Sequence, residues 1–148
     1  MSPEGRAPGE RLRFPRALRL KRRRLIRPLF ERERADVGRL NAGTVQVRYR
    51  LVPRAEAGAD TPLQVGFAPG RAARTKVGRN RIRRLMREGW RLHQAPLLAL
   101  LAQRPETTLT AFVLFRGRED APAEALRRDL PAALARLTER LAAPNVNL

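Results

Sequence analysis

The chain contains no cysteine. Disulfides and cysteine-ligated metals are excluded, and a reducing compartment suits the composition. Histidine is almost absent. His93 stands alone, so no pair of histidines can share general acid–base work. Acidic residues are few, 14 against 32 basic ones. Lysine is scarce too: every basic residue except Lys21 and Lys76 is arginine. No apolar run approaches the roughly 20 residues that cross a bilayer. The basic N-terminus lacks the apolar segment of a secretory signal. These absences lead to the expectation of a cytoplasmic protein with no membrane partner.

What is present is charge. The 148 residues carry a net +18, with a pI of about 11.9. Such an imbalance works against the compact state through self-repulsion. Phosphate gives it a use, because each neutralised phosphate releases condensed counterions. Arginine's planar fork grips phosphate through paired hydrogen bonds and stacks on bases. GC-rich coding or adaptation to heat would also replace lysine by arginine, and an anionic membrane is a rival polyanion. Charge and pattern together favour nucleic acid.

The length fits one domain with a modest core. Residues 1–16 form a disordered basic tail in this reading, residues 17–143 one RNA-binding domain, and 144–148 a C-terminal tail. "LRLKRRRLIRPLF" has Leu18, Leu25, Ile26, Leu29 and Phe30 at spacings of a short helix. Pro28 is comfortable there only in a first turn or at a kink. "TVQVRYRLV" alternates: Val45, Val47, Tyr49 and Leu51 on one side, Gln46, Arg48 and Arg50 on the other. That is a half-buried strand with a basic outer face. "LQVGFA" is a second strand, expected to pair with the first as a hairpin. Val77 to Gln94 is helical, with Pro96 at its end and a further apolar turn over Leu97 to Leu101. "TLTAFVLF" is the strand with the most buried character. Leucines 126, 130, 134, 137 and 141 mark a last helix, which Pro131 should kink. An extra early strand is possible near Arg39 to Ala42. The order predicts an α+β domain, its helices on one face of a small sheet and the other face open.

On a helical wheel, Ile82, Leu85, Met86, Gly89 and Trp90 share one arc and Asn80, Arg83, Arg84, Arg87 and Arg91 the opposite one. Arg79 and Arg81 flank them. A charged outer face is ordinary on a surface helix, but ordinary faces mix signs. Arg83/Arg87 and Arg87/Arg91 are like-charged pairs one turn apart, which cost a few tenths of a kcal/mol each. Arginines near the helix N-terminus also oppose the dipole. An external polyanion explains why such a face is kept. Asn80 has two readings, a cap on an early turn or a contact to phosphate or base.

"KVGRNRIRRLMREGW" resembles the signature of the bacterial ribonuclease P protein component: Arg79, Asn80 and Arg81, then Ile82, Arg83, Arg84, Leu85 and Arg87 on a basic amphipathic helix. "VGF", "RLKRRRLIRPLF" and "TAFVLFRGR" resemble other segments of that family, over about Leu18 to Leu141. The resemblance implies a two-layer α/β sandwich with a small mixed sheet and a left-handed βαβ crossover. It implies a protein subunit whose partner, the ribonuclease P RNA, is the catalyst. That RNA uses Mg²⁺, held mainly by the RNA itself, to remove the 5′ leader of precursor tRNA. The helix and its loop (Arg71, Arg74, Lys76, Arg79, Asn80, Arg81, Arg83, Arg84, Arg87 and Arg91) would bind the partner RNA. A cleft between the sheet and the first helix would hold the single-stranded leader. There Phe30 and Tyr49 could stack on bases and Arg48 and Arg50 could track phosphates. Phe30 reads equally well as a core anchor. Ile26 stands where the family often has an aromatic residue. The rival function is a structural RNA-binding protein of ribosomal type.

No protein-borne catalytic site stands out. His93 reads as a surface residue or a charge at a helix C-terminus. Glu31 and Glu33 lie among arginines, and Glu119 and Asp120 sit in a turn that suits capping. No carboxylate cluster or phosphate-cradling glycine motif is present.

Overall fold

The computed structural model describes residues 15–143 except 72 and 119. The predicted tails therefore lie outside the described residues, apart from Pro15 and Arg16. Arg16 begins a 3-10 turn, Arg16–Leu18. Eight elements follow: α1 Arg23–Ile26, β1 Gly38–Ala42, β2 Val45–Pro53, β3 Leu63–Ala68, α2 Lys76–His93, α3 Ala95–Leu101, β4 Thr107–Phe115 and α4 Pro122–Ala142.

The strands form one mixed sheet in the order β1-β2-β4-β3. β2 pairs antiparallel with both β1 and β4, and β3 runs parallel to β4. The expected hairpin of the first two predicted strands does not form, since β4 inserts between them. The physical reason lies in β4. It is buried or half-buried along its whole length, on both faces, and such a strand belongs in the middle of a sheet rather than at an edge. The hairpin partner of β2 is instead the early strand β1. Two residues join them, and Gly43 takes φ +55° in the turn, as tight hairpins require. β3 reaches β4 through α2 and α3, the crossover that parallel neighbours need.

Inward residues of all four strands pack with α2, α3 and α4 into the main core, which contains Val47, Tyr49, Val65, Ala111, Ile82, Met86, Trp90, Leu130 and Leu137. Phe67 meets Trp90 edge-on, with ring centroids 6.0 Å apart. Gly89 is where α2 meets α4, since a Cβ there would press on Leu130. Two buried threonines of β4 are satisfied: Thr108 Oγ1 donates to the Thr61 carbonyl and Thr110 Oγ1 to the Arg50 carbonyl. α4 runs unbroken through Pro131. Its N-cap is Ala121, whose side chain cannot cap, so Asp120 does not take the expected capping position.

The second face of the sheet is not left wholly open. The N-terminal segment crosses it, and Leu20, Leu25 and Leu29 form a small second core with Ile26, Val37 and Phe112. Leu20 N–H donates to the Val65 carbonyl beside β3. Arg22 and Arg24 donate to the carbonyls of Gly58 and Glu56, tying α1 to the β2–β3 connection. Pro28 lies in a first turn, one of the two placements expected for it: it is the second residue of a 3-10 turn, Arg27–Phe30, that follows α1, where its missing N–H is not needed.

Candidate nucleic-acid interface

α2 begins one residue earlier than the periodicity suggests, because Thr75 caps it. Thr75 Oγ1 accepts from Gly78 N–H at 2.9 Å. This removes the capping role considered for Asn80, which lies a full turn inside. Asn80 Oδ1 instead accepts from Arg83 Nη1 at 3.2 Å. The carboxamide is exposed and holds a guanidinium of the basic face.

Ile82, Met86 and Trp90 are buried, with Leu85 and Gly89 partly so, as the wheel requires. The basic residues separate into two rows. Lys76, Asn80, Arg81 and Arg84 are exposed on the crest. Arg79, Arg83 and Arg87 are half-buried along one flank. Burial, and then the charges of Arg19, Arg83 and Arg84, push the Arg87 guanidinium down from its ordinary value. Among the described residues no carboxylate contributes to that shift. Arg79 Nη1 reaches back to the Arg74 carbonyl, ordering the loop that carries the exposed Arg74. Arg71 is exposed further along this loop and lines a separate cavity with Arg116. Arg91 differs from the rest, because Glu88 neutralises it at 2.6 Å. The cationic surface of α2 therefore ends near Arg87.

The second group of predicted residues divides between the two faces of the sheet. Phe30 is 38% exposed and meets Phe112 edge-on at 5.2 Å. The Arg48 guanidinium lies 4.9 Å from the centre of the Phe30 ring. Desolvation, then the charges of Arg39 and Arg116, hold Arg48 below the usual arginine range. Ile26 packs beneath in the second core. Tyr49 is not part of this group. Its ring is buried on the opposite face, against Gly38, with its hydroxyl 3.4 Å from Arg140 Nη1. Its expected share in a stacking surface is corrected, because strand alternation puts neighbours Arg48 and Tyr49 on opposite faces. Arg50 is on the right face but engaged: its Nε donates to Asp36 Oδ2 at 2.8 Å. Asp36 also pairs with Arg34, and together these arginines lower its carboxyl below the usual range.

Three residues of this surface escaped the sequence reading. Phe112 supplies a second ring, and Arg39 and Arg116 supply charge around Arg48. Arg48 pairs in register with Arg39 on one side and Phe112 on the other. Only the strand order brings them together.

His93 Nδ1 lies 2.9 Å from the Gly89 carbonyl, which can only accept, so that nitrogen carries the proton. Among the described residues no group of three or more His, Cys, Asp and Glu could hold a metal ion. Among them, too, no helix is long and apolar enough to cross a membrane.

The comparisons with known proteins bear on family and fold. The family model described as Ribonuclease P matches residues 14–138. The fold is similar to a solved structure of the Staphylococcus aureus RNase P protein, with a TM-score of 0.51 and 16% identity over 78% of this chain and 94% of that one. No curated protein matches the chain in sequence.

Proposed function

Because the chain belongs to the ribonuclease P family and so is a protein subunit of that tRNA-processing ribonucleoprotein, we propose that it binds the ribonuclease P RNA through α2 and the leader of precursor tRNA through the opposite face of the sheet. The observation that carries this reading is the arginine face of α2. Its apolar stripe is buried against the sheet and α4, and what remains outward from Lys76 to Arg87 is of one sign. In isolation such a face costs the folded protein a little. Against an RNA backbone each of its guanidinium groups displaces a counterion.

The leader would lie along Phe30, Arg48 and Phe112. An exposed aromatic edge beside a guanidinium suits unpaired nucleotides, whose bases stack while the phosphate meets charge. The chemistry belongs to the RNA in this reading. Among the described residues no group of three or more His, Cys, Asp and Glu could hold a metal ion, and the single histidine is engaged with a backbone carbonyl. The protein contributes affinity and position.

Reconstitution tests the proposal. The full chain added to a ribonuclease P RNA at low Mg²⁺ should increase 5′-leader cleavage of precursor tRNA. No stimulation at any Mg²⁺ concentration would leave the arginine face with an RNA role other than processing.

A further inference from the structure

Where β3 and β4 end, two loops meet around a cavity of about 580 Å³. Its lining is Gly70 and Arg71 from one loop, Leu114 and Phe115 from β4, and Arg116 and Gly117 from the other. The volume lies within the range of ligand sites. Among the described residues the lining contains two exposed arginines and no carboxylate.

The loops are held there rather than merely adjacent. Gly70 has φ +78°, and a Cβ at that position would collide with the Phe115 carbonyl. On the other side, Arg116 N–H donates to the Thr44 carbonyl at 2.7 Å. Thr44 in turn donates through its N–H and its hydroxyl to Asp129 Oδ2, each at 2.8 Å. Asp129 is buried in α4. A chain of three hydrogen bonds thus runs from the helix layer, through the β1–β2 turn, to the backbone of Arg116.

The position of the cavity gives it meaning. Leu114 shares a sheet face with Phe112, two residues away, and so with Arg48. Arg116 is close enough to Arg48 for its charge to be felt there. Arg71 belongs to the loop leading into α2. The cavity therefore lies between the basic helix and the open sheet face.

We propose that this cavity is a phosphodiester site, in which Arg71 and Arg116 clamp one RNA phosphate and Asp129, acting through Thr44, positions Arg116. Arg116 is then an RNA contact and Asp129 a positioning residue. The inference rests on the ribonuclease P reading but adds a site to it, linking the two RNA surfaces. The phosphate belongs either to the partner RNA or to the precursor tRNA.

Salt titration of binding by the full chain separates these possibilities. One arm measures the protein with ribonuclease P RNA alone, the other the assembled holoenzyme with precursor tRNA. Arg116→Ala should weaken binding about tenfold and lower the log–log salt slope by about one in the arm whose RNA supplies the phosphate. Arg116→Lys should restore the slope. Thr44→Val should lower the slope toward that of Arg116→Ala, and the double variant should fall no further. A merely destabilised protein would lose active fraction and keep its slope. Unchanged slope and affinity for Arg116→Ala in both arms would overturn the site, and a wild-type slope in Thr44→Val would overturn the positioning. If the wild-type protein bound neither RNA, the ribonuclease P reading would fall first. If it bound both and Arg116→Ala matched it, only this inference would fall.

Discussion

One carboxylate oxygen of Asp129 accepts both the backbone N–H and the hydroxyl of Thr44, each at 2.8 Å, across 85 residues of sequence. The helix layer is thereby bonded to the hairpin that begins the sheet. The Arg128 guanidinium and the Thr44 donors, outweighing burial, hold this carboxyl far below the usual carboxylate range. A folded-state pKa below the unfolded one contributes stability that is present above the unfolded value, about 3.9, and is lost as pH falls toward the folded value. Asp129→Ala should therefore cost about 2 kcal/mol near neutral pH and less at pH 3. Urea unfolding of both proteins at the two pH values checks this. An equal gap at both would show that the ionised carboxylate is not the cause.

Gly43 sits in the same joint. Its φ of +55° strains any residue with a Cβ, and a Cβ there would meet the Asp129 carboxylate. Gly43→Ala should destabilise the fold by about 2 kcal/mol, combining backbone strain with displacement of the carboxylate. Thermal melts read this directly. A neutral substitution would mean that the turn can relax without cost.

On α2, Arg79→Ala combined with Arg83→Ala should weaken binding to the ribonuclease P RNA. Each lost phosphate contact should lower the log–log salt slope by about one. Arg91→Ala should change the slope little, because Glu88 already neutralises that side chain. If Arg91 proved as important as the other two, RNA would have to break this ion pair on binding.

Phe30→Ala should reduce holoenzyme affinity for precursor tRNA by about 1–3 kcal/mol, the range of a lost base–aromatic stack. Affinity for mature tRNA, which has no leader, should be unaffected. Equal losses for the two substrates would return Phe30 to the role of core anchor.

Arg50 gives a prediction of opposite sign. Its charge is now held by Asp36. Asp36→Asn should release it and strengthen precursor binding at low salt. The stability change should stay within about 1 kcal/mol, as for other partly exposed ion pairs. Binding curves at two ionic strengths test this, and weaker binding would show that the Arg34–Asp36–Arg50 network orders the surface.

Local features of the fold were legible because they depend on near neighbours. The wheel of α2 identified Ile82, Met86 and Trp90 as its docking stripe, and alternation in β2 placed Val45, Val47 and Tyr49 inward. That alternation already separated Tyr49 from Arg48, so a shared stacking surface conflicted with it. Thr75 stood immediately before the helix as a competent cap, and Asn80 lay too far inside to be one.

Non-local features were not legible. Whether β2 pairs next with β3 or β4 depends on which strand can be buried on both faces and both edges. Periodicity within β2 says nothing of that. Phe112 and Arg116 became part of a surface only when β4 took the central place beside β2.

Sequence alone determined the sign and density of charge, the segment that carries it outward, and the absence of a histidine pair or thiol for catalysis. These follow from composition and from the 3.6-residue and two-residue periods of the chain. Tertiary structure decided which cations remain available. Asp36 takes Arg50, Arg48 lies within the charges of Arg39 and Arg116, and Arg71 and Arg116 line one cavity with no carboxylate among the described residues. The distinction is one of range. Amphipathic pattern is local, whereas the Coulomb environment of a guanidinium is set by whatever the fold brings within a few ångströms.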